Sequence, residues 1–227
     1  MVTARNFKEV LKLPCVVVED PKIIFFRIPK AASTSIHKGY FRENYVTLNA
    51  KTNSKGFRSW LKNVTFDWFE EAFKFTFVRN PFDRFVSLYV YFTTYTPKFK
   101  GSPLADRWKR DGDPVPTFDE FVRRFDVICD KREDIRNHSM PQHLFAFYEG
   151  NPFVDFIGRF EHLERDIKHI QRRHSLKEYK LKHLMSTVHD HYSSFYDEEA
   201  RSKVGKIYKK DLDYFNYRFH DIAIIDS

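Results

Sequence analysis

The stretch Pro29-Lys30-Ala31-Ala32-Ser33-Thr34-Ser35 sets one ammonium group beside three hydroxyls and two methyl-sized side chains. Ile23 to Phe26 ahead of it are β-prone, and Ile36, Tyr40 and Phe41 behind it recur at helical spacing. This pattern predicts a strand, a tight loop and a helix that starts near Thr34. The first N–H groups of such a helix lack intrahelical acceptors and lie at the positive end of its dipole, so the junction suits a phosphate or sulfate. Small side chains let the anion approach the backbone. The glycine-rich signature G-x-x-x-x-G-K-[ST] is absent, because Lys30 precedes the hydroxyls instead of following a glycine loop, which argues against ATP or GTP hydrolysis.

A second junction follows. Lys74 to Val78 read as a strand, and Arg79-Asn80-Pro81 turn it at once into a helix, with Asn80 as N-cap and Pro81 at the first helical position. Phe82, Phe85, Val86, Tyr89 and Val90 mark the buried face of that helix. Arg79 supplies a planar donor suited to two oxygens of one phosphate. Both junctions can face a single ligand at the carboxyl ends of strands in one sheet, where α/β folds bind ligands.

The elements that must hold these corners alternate along the chain. A short amphipathic lead-in stops at Pro14, and Val16 to Val18 form a brief strand before the turn signal Glu19-Asp20-Pro21. Residues 47–55 are a polar loop, and Phe57 to Phe69 give one broken helix or two short ones. Residues 96–116, rich in Pro, Gly, Lys and Asp, read as a long loop or lid. Thr117 and Glu120 form a capping box for a helix through about Val127. Asn137 to His143 read as irregular, Val154 to Gly158 as a strand and Glu161 to His174 as a helix with Leu163, Ile167 and Ile170 on its buried face. Residues 175–195 look irregular, and Asp197-Glu198-Glu199 open a closing helix with Val204, Ile207, Tyr208, Leu212 and Phe215 on its core side. Strands alternating with helices predict a three-layer α/β/α fold with a mainly parallel central sheet, in one domain over residues 1–227.

Composition narrows the class. A charged fraction of 31% and a mean hydropathy of −0.57 indicate a soluble chain, while 25 Phe supply a sizeable core. No apolar run reaches the length of a membrane span and no secretory leader is visible, so the expectation is a cytoplasmic or otherwise soluble intracellular protein. Cys15 and Cys129 lack C-x-x-C spacing, which disfavours a disulfide framework and a cysteine zinc site; His189-Asp190-His191 is too sparse for a metal, so none is expected. The formal charge of +8 implies anionic partners, and charge alone does not choose between nucleic acid, an anionic polysaccharide and a charged nucleotide.

The run P-K-A-A-S-T-S-I after an apolar strand resembles the 5′-phosphosulfate loop of sulfotransferases, most closely the carbohydrate type that includes heparan and chondroitin sulfotransferases. F-V-R-N-P-F-D-R-F-V-S-L-Y is similar to their 3′-phosphate motif, in the same order and about fifty residues further on. His138-Ser139-Met140-Pro141-Gln142 resembles the H-x-x-P-Q segment of that family, residues 155–161 its D-x-[IV]-G-[RK]-x-E, and Tyr196 to Tyr217 its closing helix. Two departures stand out: the loop between the main motifs lacks the His-bearing segment of several relatives, and Leu184 to Thr187 match H-x-N-x-[ST] only loosely.

The resemblance implies a P-loop-NTPase-like sulfotransferase fold and 3′-phosphoadenosine 5′-phosphosulfate as donor, with 3′-phosphoadenosine 5′-phosphate as product and no metal. It implies a hydroxyl-bearing acceptor, a glycan by likeness. Lys30 would meet the oxygen bridging phosphate and sulfur, and Pro29, Lys30, Ala31, Ala32, Ser33, Thr34 and Ser35 would hold the 5′-phosphosulfate. Arg79 and Ser87 would hold the 3′-phosphate. Ser87 lies about 10 Å along the helix from its cap at 1.5 Å per residue, so helix-end electrostatics do not explain it, and its role follows from the motif.

Sulfuryl transfer also needs a base for the acceptor proton. His138 ranks first among the candidates, followed by His37, His143, Glu43, Glu70 and Glu71, although for any one of the 10 His a structural role is the commoner outcome. Taken singly, Thr34 is an ordinary N-cap and Ser87 a small residue at a packing contact; only the pairing of the two corners favours a ligand. Two other readings stay open: an inactive nucleotide-binding protein of the same fold, and a nucleic-acid binder, which no recognisable motif supports.

Overall fold

A computed structural model of the chain describes residues 1–49, 55–94, 108, 111–178 and 190–220. Two compact units divide it: Met1–Arg79 with Gln142–Met185 and Ile225–Ser227 in the first, Asn80–Pro141 with Ser186–Ile224 in the second. The first unit opens with helix α1 (Phe7–Val10), strands β1 (Cys15–Val18) and β2 (Ile23–Phe26), and helix α2. Helix α2 runs unbroken through α-helical Ser33–Ile36, π-helical His37–Phe41 and α-helical Arg42–Asn44. Strand β3 (Leu48–Asn49), helices α3 (Lys55–Asn63) and α4 (Phe66–Glu71) and strand β4 (Phe73–Val78) follow. The second unit then takes helices α5 (Pro81–Thr93), α6 (Phe118–Arg123), α7 (Phe125–Lys131) and α8 (Glu133–Ser139). Strands β5 (Phe147–Tyr148), β6 (Asn151–Pro152) and β7 (Phe156–Arg159) and helix α9 (Leu163–Arg173) belong to the first unit, and helices α10 (Glu198–Ile207) and α11 (Lys209–Phe215) to the second.

The central sheet has the order β3-β1-β2-β4-β7. Strands β2, β4 and β7 are mutually parallel, and β1 is antiparallel to both of its neighbours, so it alone is reversed. Strands β1 and β2 are buried at every position, as expected of apolar runs covered on both faces. On one face, Ile36, Tyr40 and Phe41 of α2 and Leu163, Ile167 and Ile170 of α9 pack with Phe25, Phe75 and Phe77. The Phe25 and Phe75 rings stack across the β2–β4 pair with centroids 4.9 Å apart. On the other face the buried Lys74 gives its ammonium to the carbonyls of Phe69, Glu70 and Ala72 at 3.0, 3.2 and 2.6 Å, closing the C-terminal end of α4. This is the α/β architecture expected: a mixed, mainly parallel sheet flanked by helices.

The second unit is helical around a core that includes Phe85, Phe121, Phe125, Val204 and Tyr208. Two of its caps are those the sequence predicts, and Asp197, expected only to suit the helix dipole, is a third. Asn80 accepts from the Phe82 N–H at 3.0 Å, the Thr117–Glu120 capping box closes on both sides, and Asp197 accepts from Ala200 at 2.7 Å.

Several local expectations need correction. Residues 137–143 are not irregular: α8 reaches Ser139 and a 3₁₀ turn covers Gln142–Phe145. Burial of Ile135 and the bond from Tyr208 Oη to the Ser139 carbonyl, 2.8 Å, hold a helix whose composition is polar. Strand β7 begins at Phe156, not Val154, because the Asp155 carboxylate itself takes the Lys74 N–H at 2.7 Å. The expected loop at 47–55 starts with β3 on the edge of β1. Residues 57–69 make two helices, separated where Thr65 accepts from Trp68 N–H. The expected lid at 96–116 lies largely outside the described residues, as do residues 179–189 of the irregular 175–195 segment.

Gly158 faces Phe77 across the β4–β7 ladder, and a Cβ there would fall 2.3 Å from the ring. Gly158→Ala is expected to destabilise the protein by ~1–3 kcal/mol through overpacking. Gly205→Ala, whose Cβ would meet Phe82 at an ordinary 3.6 Å, should be neutral or stabilising. Urea unfolding midpoints of the two variants test the contrast.

Candidate functional site

Strand β2 delivers the chain into a loop of unusual backbone. Lys30 and Ala32 both adopt left-handed conformations, with φ of 66° and 57°. For non-glycine residues this costs about 1 kcal/mol or more each and clusters at ligand-binding positions. The turn is held by Ala31 N–H to the Ile28 carbonyl at 3.4 Å and Ile36 N–H to the Ala32 carbonyl at 3.1 Å. Helix α2 then starts at Ser33, with no side chain capping its first turn. Helical geometry leaves those N–H groups without intrahelical acceptors, and alternation into left-handed backbone is how successive amides form an anion-binding nest. Ala31 is fully buried, and its size and that of Ala32 keep the nest clear of bulky side chains. Ser33 and Ser35 are buried at the helix start, and Thr34 is partly exposed. The π-helical turn at His37–Phe41 lies directly behind them, a feature found often beside functional sites.

Strand β4 delivers Arg79 to the same place. Its guanidinium Nη1 donates to the Lys30 carbonyl at 3.3 Å, and its guanidinium carbon lies over the Phe160 ring, 4.2 Å from the ring centre. Its backbone is clamped by a residue that the reading of the two main motifs passes over. The Gln142 side chain is fully buried, accepts from Arg79 N–H at 2.9 Å and donates to the Arg79 carbonyl at 2.8 Å. Gln142 is the last residue of the H-x-x-P-Q segment, so the signal was present in the sequence without its meaning. Arg79 and the loop at Lys30 therefore meet within the first unit.

The electrostatics match the geometry. Burial, then the positive charge of Arg79, pull the Lys30 ammonium down to about 7. Burial and the nearby cations Arg27, Arg42 and Lys38 hold His37 down at about 4, so its ring is neutral at pH 7. Arg27, at the mouth of β2, has a buried Nε without a hydrogen-bond partner. Cations crowded this closely, with their ionised forms disfavoured, define a corner that gains from an incoming anion.

The remaining candidates lie on other elements. Ser87 is buried on α5 and His138 lies on α8, both in the second unit. The His138 Nδ1 is 2.7 Å from the Asp134 carbonyl, and its ring packs against Tyr91 and Phe92. His143 follows Gln142 in the 3₁₀ turn. Glu70 and Glu71 are exposed on α4, with Glu71 paired to Lys22, and the Glu43 side chain is outside the described residues. Among the described residues no cluster of three or more His, Cys, Asp or Glu could hold a metal ion, and no helix is long and apolar enough to cross a membrane.

Replacing Gln142 by Leu removes both side-chain hydrogen bonds to the buried Arg79 backbone. The expected loss is ~1–3 kcal/mol of stability, with weakened binding of anions at this corner. Gln142→Glu keeps the acceptor for Arg79 N–H but loses the donor, so it should fall between wild type and Leu in both thermal unfolding and anion titration.

Residues 14–218 match the family model described as "Sulfotransferase family". No curated protein and no solved structure gives a match. With that match running over both anion corners, the Gln142 clamp and nearly the whole of both units, the chain belongs to the sulfotransferase family.

Proposed function

We propose that this sulfotransferase moves a sulfuryl group from 3′-phosphoadenosine 5′-phosphosulfate to a hydroxyl of an acceptor, a carbohydrate. The convergence of the left-handed loop at Lys30–Ala32 with Arg79, across a parallel strand pair, carries the reading. The first-turn amides of α2 with Ser33, Thr34 and Ser35 hold the 5′-phosphosulfate, and Pro29 to Ala32 shape the cradle. Arg79, fixed in backbone by Gln142 and resting its guanidinium over Phe160, takes the 3′-phosphate. Ser87 shares that role on the strength of its motif.

In sulfuryl transfer negative charge grows on the oxygen that bridges phosphate and sulfur, and positioned cations stabilise it. Lys30 is assigned that oxygen. Its ammonium, drawn down to about 7 by burial and by Arg79, becomes fully charged when two anionic groups arrive. His138 is our assignment for the base. Its Nδ1–H points at the Asp134 carbonyl, which leaves Nε2 as the proton-accepting nitrogen. The carbohydrate acceptor rests on the likeness of the two motifs to those of carbohydrate sulfotransferases.

Transfer of labelled sulfate from the donor to a panel of glycans and small alcohols is the direct test, with Lys30→Ala expected to abolish turnover. Binding of 3′-phosphoadenosine 5′-phosphate without turnover on any acceptor would favour the inactive nucleotide-binding reading. Absence of binding would remove both. Arg79→Ala should weaken nucleotides bearing a 3′-phosphate by roughly 10- to 100-fold, the value of a charge-assisted hydrogen bond, and those lacking it far less; equal losses would remove Arg79 from that role.

The Lys30 shift adds a pH test. The free ammonium titrates near 7, and a bound anion raises that value, so binding takes up a proton above pH 7 and affinity falls as pH rises from 7 towards 9. Calorimetry in buffers of different ionisation heat should show the uptake in wild type and none in Lys30→Gln.

A further inference from the structure

The formal charge of +8 is not shared between the units. The first unit holds 22 of the 39 Lys and Arg against 14 of the 31 Asp and Glu, and the second holds the remaining 17 and 17. The whole excess thus belongs to the first unit, more of it than a donor corner built on Lys30 and Arg79 requires.

Much of it lies on one surface. Helices α2 and α9 cover the same face of the sheet through Ile36, Tyr40 and Phe41 and through Leu163, Ile167 and Ile170. Their opposite sides therefore share the outer surface of that layer. There α2 exposes Lys38 and Arg42, and α9 exposes Lys168, Arg172 and Arg173. Lys177 joins the two helix ends. Its N–H donates to Tyr45 Oη at 3.0 Å, its ammonium to the Asn44 carbonyl at 3.2 Å, and its carbonyl accepts from Tyr40 Oη at 3.0 Å. None of these six side chains makes an ion pair among the described residues, although Glu164 and Glu178 are exposed on the same stretch. Cations elsewhere in both units do find acids: Lys203 pairs with Asp126 and Arg132 with Asp111 in the second, and in the first Arg165, on α9 itself, pairs with Asp166.

Stability alone does not account for this arrangement. Lys38 and Arg42, and again Lys168 and Arg172, are like charges four residues apart, a spacing that destabilises a helix slightly. The helix dipole favours Arg172 and Arg173 in the last turn of α9, but not Lys38 or Lys168. The histidines beside the row are occupied, His169 stacked on Phe156 and His174 on Phe73, so neither is a platform for the bases of a single strand. Val46 is the one large apolar side chain exposed at its border among the described residues, too little for insertion into a membrane.

We propose that the outer surface of the α2–α9 layer is a docking site for a sulfated or carboxylated glycan chain, held by Lys38, Arg42, Lys168, Arg172, Arg173 and Lys177. The surface acts as a foothold for a chain beyond the donor contacts of Lys30, and its α9 residues Lys168, Arg172 and Arg173 carry it without any part in the donor corner.

The test uses a heparin dodecasaccharide as probe, with a DNA duplex of similar charge and anionic phosphatidylserine vesicles alongside. Wild type should bind the heparin probe with an affinity that falls steeply with salt, and more tightly than the duplex or vesicles. The triple variant K168E/R172E/R173E should lose at least tenfold while 3′-phosphoadenosine 5′-phosphate binding and the unfolding midpoint stay unchanged. Lys30→Ala should leave heparin binding intact, which keeps failure of this proposal separate from failure of the donor assignment. An equal loss from K206E/K209E/K210E on the second unit, no loss from the α9 variant, or equal or tighter binding of duplex or vesicles would overturn it.

Discussion

In a parallel pair both strands bring their carboxyl ends to the same edge, and β2 and β4 are paired from Ile23–Phe73 through Phe26–Thr76. Thr76 ties the upper end of the pair by donating its hydroxyl to the Phe26 carbonyl at 2.9 Å. Everything at the anion corner follows from that register. The loop after β2 and Arg79 after β4 emerge side by side, close enough for guanidinium to carbonyl bonding at 3.3 Å. A slip of one residue would turn Phe25 and Phe75 out of the core they share. Burial of the aromatic stack thereby protects the spacing of two groups that do not themselves contribute to the core.

The corner is held in a state that the fold by itself does not favour. Two left-handed non-glycine residues, a half-buried ammonium beside a guanidinium, a histidine kept neutral among cations and an arginine Nε without a partner lie within one loop and its flanks. Such features cost stability and are retained where a ligand compensates them. Opposing them are bonds that fix position more than they add energy. Gln142 supplies two hydrogen bonds to the Arg79 backbone, and Phe160 supplies a flat surface for its side chain. This division suits sulfuryl transfer, in which positioned charge supplies most of the catalysis.

Charge distribution repeats the division at a larger scale. The second unit balances its acids and bases and pairs several of them, and the first concentrates cations both at the loop and along the outer sides of α2 and α9. The same helix, α2, presents its amide end to the anion corner and its cationic side to solvent.

The local instructions were legible in the sequence because their physics is local. Asn80 and Thr117 cap helices wherever their neighbours lie, the apolar runs at 15–18 and 23–26 must be buried, and the small and hydroxylated residues after Lys30 mark a helix start suited to an anion. Tertiary structure decided what depends on partners far along the chain. Residues 137–139 are helical because Ile135 and Tyr208 give that face a core, against a polar composition. Gly158 is a glycine because the Phe77 ring fills the space of its Cβ, and Gln142 matters because 63 residues earlier Arg79 needs both backbone groups satisfied. The neighbours of Lys30 made it a candidate anion ligand, but only the fold, by burying it and setting Arg79 against its carbonyl, brought its ammonium down to about 7.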